Sequence, residues 1–268
     1  MCPNCRAFVN ADDRVCPYCD AALGVRAVET RPSSEVGLLA HGRFSTTILL
    51  VINFGLYAAT TLHSMQGADG QLITDIDGRT LLMFGAKFPP AIYAGQWWRL
   101  VTAGFLHGGL VHILMNSWIL WDLGATVEEF YGTKRYVVIY FLSTVFGFLA
   151  STWWSSSLSI GASAGLFGFI GAMIALGMKS QTTMGAAMKA HYTQWAIWGL
   201  VMGFLPMFRA DNAAHLGGLA AGFVVSYLAG TPKLFDNWQE KLWTVLAVIC
   251  LLLTLLSFAL MLSQFAAR

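Results

Sequence analysis

Between Ser45 and Leu262 this chain is a succession of apolar stretches separated by polar breaks. A backbone in hydrocarbon has to satisfy its own N–H and C=O groups, and a helix does so within one segment of about 20 residues. The stretches lie near Ser45–Leu62, Leu106–Val127, Tyr136–Trp154, Ser163–Met178, Tyr192–Phe208, Ala213–Gly230 and Leu242–Leu262. Charged residues make up 11% of the chain and hydrophobic ones 56%, where an ordinary soluble domain carries about 25% charged residues. The fold class this implies is an all-α polytopic membrane protein. The net charge of +2 is too small and too dispersed to argue for nucleic acid as a partner. The N-terminus carries cysteines, prolines and charges rather than an apolar leader, so no secretory signal is expected.

Residues 1–23 read as a separate module. Cys2-Pro3-Asn4-Cys5 and Cys16-Pro17-Tyr18-Cys19 are two CxxC knuckles with ten residues between them. Four thiolates in two such turns suit one tetrahedral zinc ion, with two disulfides or a redox CxxC as the rival readings. A segment this short builds no core of its own, which favours a structural zinc in a zinc-ribbon-like module held by Cys2, Cys5, Cys16 and Cys19. Residues 24–43 are polar and read as a flexible linker. Cys250 sits in an apolar run and reads as a small packing side chain.

Orientation follows from lysine and arginine. With the N-terminus in the cytoplasm, Arg79, Lys87, Arg99, Arg209 and Arg268 fall outside, and the other eleven of the sixteen Lys and Arg residues fall inside. A reducing interior also suits free thiolates. In that arrangement the second, fourth and sixth spans begin at the outer face. His112, Ser163 and His215 then share one side of the membrane at similar shallow depth. The fourth span, sixteen residues long, is short for a crossing, so one end stops below the surface and leaves room for water. The long connection His63–Trp98, with its aromatic cluster before Arg99, is expected to lie partly in the outer leaflet.

A serine hydroxyl needs a base to become a nucleophile, and His215 or His112 could supply it for Ser163. Gly217, Gly218 and Gly222 beside His215, and Gly165, Gly168 and Gly171 after Ser163, let two helices approach closely. The second histidine, one turn from Asn116, is then free to serve with the Asn116 amide as an oxyanion donor. The backbone N–H of Ser163, at a helix start, adds to that hole. Asp122 lies too deep, and Asp211 precedes the sixth span, so a dyad is favoured over a triad. Read alone, a serine in a glycine-rich span is helix packing, and a histidine there is a proton relay or metal ligand. The joint pattern argues against both.

Gly161-Ala162-Ser163, Ala214-His215-Leu216-Gly217-Gly218, His112-Ile113-Leu114-Met115-Asn116, Trp98-Arg99 and Gly124-Ala125-Thr126-Val127-Glu128-Glu129-Phe130-Tyr131-Gly132 together resemble the rhomboid intramembrane serine proteases. The resemblance implies a six-helix core over residues 44–230 and a loop plus one further transmembrane helix over 231–268. It implies Ser163 as nucleophile and His215 as general base, with His112 and Asn116 lining the oxyanion site. Phe167 would pack against His215, Glu128 would be structural, and Trp98 and Arg99 would belong to the structural or substrate-binding surroundings. Catalysis needs no cofactor in this reading. The implied activity is cleavage of single-pass membrane proteins at or near the outer face of a membrane, a bacterial plasma membrane by expectation. The rival functions are an inactive relative that binds transmembrane helices and a channel or transporter using His112, Asp122 and His215. One departure stands out. The family usually has glycine directly after the serine, whereas Ala164 occupies that place and sets a methyl group, a small one, at the approach of the sixth span.

Overall fold

The computed structural model describes residues 2, 4–5, 15–22, 43–66, 75–205, 210–232 and 238–266. The expected linker, except residue 43, and the expected end of the fifth span at Phe208 lie outside the described residues. The chain forms two compact units, within residues 1–38 and 39–268. In the first, the chain after Cys16 turns back on itself: Asp20 N–H donates to Cys16 O and Cys16 N–H to Ala21 O, both at 2.9 Å.

The second unit is helical. Helix α1 (Phe44–Met65) has no cap from its own N-terminal residue. Its free amides are met from another span: the Glu128 carboxylate accepts Ser45 N–H at 3.0 and 3.1 Å and Thr46 N–H at 3.3 Å. A carboxylate at a helix N-terminus also faces the positive end of the dipole. The following connection is ordered by short turns of helix, α2 (Gly78–Met83), α3 (Pro89–Tyr93) and α4 (Arg99–Thr102). Asp77 caps α2 by accepting Thr80 N–H at 2.8 Å, and α3 begins with proline where its missing N–H costs nothing.

Helix α5 (Leu110–Ile119) widens into a π-turn over Leu120–Gly124 and continues as α6 (Ala125–Trp154). Gly132 interrupts α6 with φ 71° and ψ 162°, left-handed values that glycine adopts without steric cost. Beyond it the chain doubles back. The Tyr136 hydroxyl lies 3.1 Å from Thr46 Oγ1 and against Gly124, and Thr144 lies against Gly104. The second and third expected spans therefore meet at a single residue instead of across a loop. Helices α7 (Ser163–Lys179), α8 (Thr183–Gly203), α9 (Asn212–Ala229) and α10 (Trp238–Ala266) complete the chain. The fifth expected span, placed from Tyr192, begins earlier as α8, because Thr182 caps it by accepting Gly185 N–H at 3.1 Å.

Among the described residues, four stretches are long and apolar enough to cross a membrane: Phe44–Met65, Leu110–Trp154, Asn212–Ala229 and Trp238–Ala266. Helix α7 is shorter but apolar and almost wholly buried. It sits at the centre, flanked by α6, α8 and α9. Glycines bring α7 and α9 together, since a side chain at Gly218, Gly222 or Gly171 would collide with the backbone of Ala164, Gly168 or Leu219. Aromatic residues pack farther along α7, with Tyr136 and Tyr140 against Phe169 at ring separations of 4.6 and 5.7 Å. Helix α10 packs outside α6 and α4.

Candidate active site

The N-terminus of α7 begins at Ser163, and that of α9 begins at Asn212, one turn before His215. Because glycines let these helices touch, the side chains at their N-terminal ends meet. His215 Nε2 lies 2.9 Å from Ser163 Oγ. The imidazole is stacked on Phe167, with ring centroids 4.1 Å apart and planes within 9°. Phe167 follows Ser163 by one turn, so α7 carries both the hydroxyl and the surface that fixes the ring addressing it.

Neither nearby carboxylate extends the pair. Asp211 caps α9 by accepting Ala214 N–H at 3.0 Å through Oδ1, and its Oδ2 accepts the Ser151 hydroxyl. Asp122 is exposed within the π-turn. His215 Nδ1 is buried without a hydrogen-bond partner among the described residues. The geometry is that of a serine–histidine pair.

On the other side of Ser163, Gly161 adopts φ 125° and donates its N–H to Ala103 O at 2.9 Å. A Cβ at Gly161 would lie 2.8 Å from His112 Nε2 and 3.6 Å from Asn116 Nδ2. Helix α5 thus aims both groups at the backbone that leads into Ser163. Gly108 N–H approaches His112 Nδ1 at 3.5 Å, which favours a proton on Nε2, the atom facing Gly161. Asn116 Nδ2 is a buried donor without a partner among the described residues. With the Ser163 amide at a helix start, these set three groups able to donate hydrogen bonds on one side of Ser163.

The methyl of Ala164 lies between α6 and α9. It is fully buried with Ala103, Phe148 and Ala214 and points at α6, where Gly147 leaves room: a Cβ there would lie 2.9 Å from it. The space beside it is supplied by a glycine on a third helix.

Trp98 and Arg99 do not touch the serine. Arg99 Nε donates to Gln96 Oε1 at 2.6 Å, and Nη1 donates to Leu82 O and Ala86 O at 2.8 and 2.9 Å. The guanidinium thereby organises the connection between α2 and α4. Trp98 is buried, and its carbonyl accepts the Thr102 hydroxyl. Glu128 lies at the opposite end of the helices, capping α1 as described.

Two residues with parts in this surface carry no sequence signal of their own. Ser151 and Lys87 are an ordinary helix serine and a loop lysine until the fold sets one against Asp211 and the other against residues 155–159.

In the N-terminal unit none of the four cysteines is in a disulfide, and their sulfurs lie within 4.8 Å of one another. Cys2 and Cys19, and Cys5 and Cys16, are 3.6 Å apart. Sulfurs about 2.3 Å from a shared tetrahedral ion stand about 3.8 Å apart, so the set fits zinc. Backbone hydrogen bonding at Cys5 holds the Cys2 thiol down at about 6, and that at Ala21 lowers Cys19. Both shifts favour the thiolate a metal needs.

The family profile described as the Rhomboid domain matches residues 94–232, which takes in every residue of the α7–α9–α5 site. The chain belongs to the rhomboid family. Among its relatives, the Bacillus subtilis protein named Rhomboid protease GluP is 34% identical over 63% of this chain and 33% of its own length. Rhomboid-like protease 3 of Toxoplasma gondii is 33% identical over 71% of this chain and 74% of its own length. RHOMBOID-like protein 5 of Arabidopsis thaliana is 35% identical over 56% of this chain and 49% of its own length. The chain thus spans about a third of the first relative, three quarters of the second and half of the third. The rhomboid fold and the apolar helices make this an integral membrane protein.

Proposed function

We propose that this chain is an intramembrane serine endopeptidase working through a Ser163–His215 dyad. The observation that carries the reading is the 2.9 Å approach of His215 Nε2 to Ser163 Oγ, in a family whose relatives bear the name protease. Ser163 Oγ attacks the scissile carbonyl carbon as its proton passes to His215 Nε2. The carbonyl oxygen becomes an oxyanion that accepts hydrogen bonds from Asn116 Nδ2, His112 Nε2 and the Ser163 N–H. Collapse breaks the C–N bond, and the imidazolium returns its proton to the leaving amine. Water, deprotonated by His215, then releases the acyl group from Ser163.

The substrates are single-pass membrane proteins cut at or near the outer face, with the N-terminus cytoplasmic and a bacterial plasma membrane as the setting. Support comes from the charge asymmetry of the loops and from the short α7, which sets Ser163 below the level that longer helices reach. The N-terminal module holds a structural zinc through Cys2, Cys5, Cys16 and Cys19, and catalysis uses no cofactor.

The test is labelling of detergent-solubilised protein by a fluorophosphonate. Wild type is expected to label, and Ser163→Ala and His215→Ala are not. Absence of labelling in folded wild type would sink the reading and favour a non-catalytic binder of transmembrane helices.

A further inference from the structure

Lys87 is the one fully buried lysine among the described residues, yet no carboxylate pairs with it. Its Nζ donates to Ser155 O at 2.8 Å and to Ser157 O at 3.0 Å. Its backbone makes a reciprocal pair with Ser159: Lys87 N–H donates to Ser159 O at 3.0 Å, and Ser159 N–H to Lys87 O at 3.1 Å. One residue of the α2–α3 connection therefore holds the segment leaving α6 at every second residue, 155, 157 and 159. The next alternate residue, Gly161, is held by Ala103 O, and Ser163 follows.

That regular spacing has a chemical purpose. Carbonyls at the end of a helix have no intrahelical partner, and an ammonium supplies donors and the charge that end of the dipole prefers. Buried in this way, a lysine side chain loses its rotamer freedom and its water, so a simple surface loop has no use for it. A loop whose far end must be placed to a fraction of an ångström has such a use. Burial lowers the Lys87 pKa, and the negative charge of Asp211 opposes that fall. Asp211 itself caps the helix that carries His215.

We propose that Lys87 is a positioning residue for the reaction: its ammonium fixes residues 155–159 so that the Gly161–Ser163 backbone stands at the correct distance from His112 and Asn116. The inference rests on the function proposed above. Lys87 does not contact the reacting atoms. It acts through the peptide backbone that lines the oxyanion side of Ser163.

The experiment compares wild type, Lys87→Met and Arg135→Met, a distant destabilised control, by hydrogen–deuterium exchange and by fluorophosphonate labelling kinetics. Lys87→Met is expected to raise exchange in peptides covering residues 155–162 while α10 keeps its protection. Its maximal labelling rate is expected to fall on the order of 10-fold with the half-saturating concentration within about 2-fold, the pattern of a misplaced transition-state contact. Arg135→Met, matched for loss of melting temperature, is to keep the maximal rate. Unchanged exchange at 155–162 overturns the proposal, as does an unchanged rate or an equal rate loss in Arg135→Met. If Lys87→Met does not fold, Lys87→Gln, which keeps a shorter donor, is to show the same pattern at smaller size. Failure of wild type to label instead defeats the proposed function, and the exchange data then still decide whether Lys87 holds the segment.

Discussion

Arg135 and Glu240 face each other through two parallel hydrogen bonds of 2.9 and 2.7 Å. Both side chains are nearly out of solvent, and the guanidinium also lies 5.2 Å from the Trp243 ring centroid. The pair joins α6 to α10. Removing one partner strands a buried charge, which typically costs about 3–5 kcal/mol, whereas replacing both by apolar residues is often near neutral. Arg135→Met is therefore expected to lower thermal stability clearly, and Arg135→Met with Glu240→Leu is expected to recover most of the loss. Equal melting temperatures for single and double variants would refute the coupling.

Gly218 against Ala164 makes a second prediction. Gly218→Val leaves Ser163 and His215 in place, but its side chain meets the Ala164 backbone. Overpacking of this kind costs about 1–3 kcal/mol, and here it forces α9 away from α7. Labelling of Ser163 is expected to fall far more than stability does, which a parallel melting curve would reveal.

The oxyanion donors are tested by Asn116→Ala. Loss of one such donor commonly slows chemistry by about 100-fold or more. The maximal fluorophosphonate labelling rate is expected to drop on that scale while the protein stays folded. His112→Ala is expected to act in the same direction, and a normal rate in both variants would remove these residues from the site.

Metal content checks the N-terminal unit. Protein purified without chelator is expected to carry about one zinc per chain, held by four thiolates. Cys16→Ser is expected to lower that content sharply. Zinc-free wild type with unmodified thiols would contradict the assignment.

Much of this was legible in the sequence because membrane burial makes polar residues conspicuous. Ser163, His215, His112 and Asn116 stood out as hydroxyl, imidazole and amide groups in apolar surroundings, and the glycines beside them announced close helix contact. What was not legible depended on partners distant in sequence. The room for Ala164 comes from Gly147 on another helix, so the packing of its methyl could not be judged from neighbours. The π-turn at Leu120–Gly124 and the early start of α8 at Thr183 reflect local hydrogen bonding that hydropathy does not register. Asp211 was visible as a carboxylate near His215, but its commitment to Ala214 and Ser151 appears only when α6 and α9 are side by side.

The reversal at Gly132 also bears on how the molecule is made. A single residue joining two spans leaves no loop to separate them, so the nascent chain delivers α5 and α6 to the bilayer as one hairpin. Residues 110–154 precede Ser163 in synthesis, and the hairpin carries His112 and Asn116 with it. The side of the site that carries these two donors is thus laid down first, and Ser163 is threaded into a wall already standing. Until α9 arrives with His215, Ser163 stands without the imidazole beside it, so on the proposed mechanism a half-built molecule in the membrane has no means of cutting its neighbours.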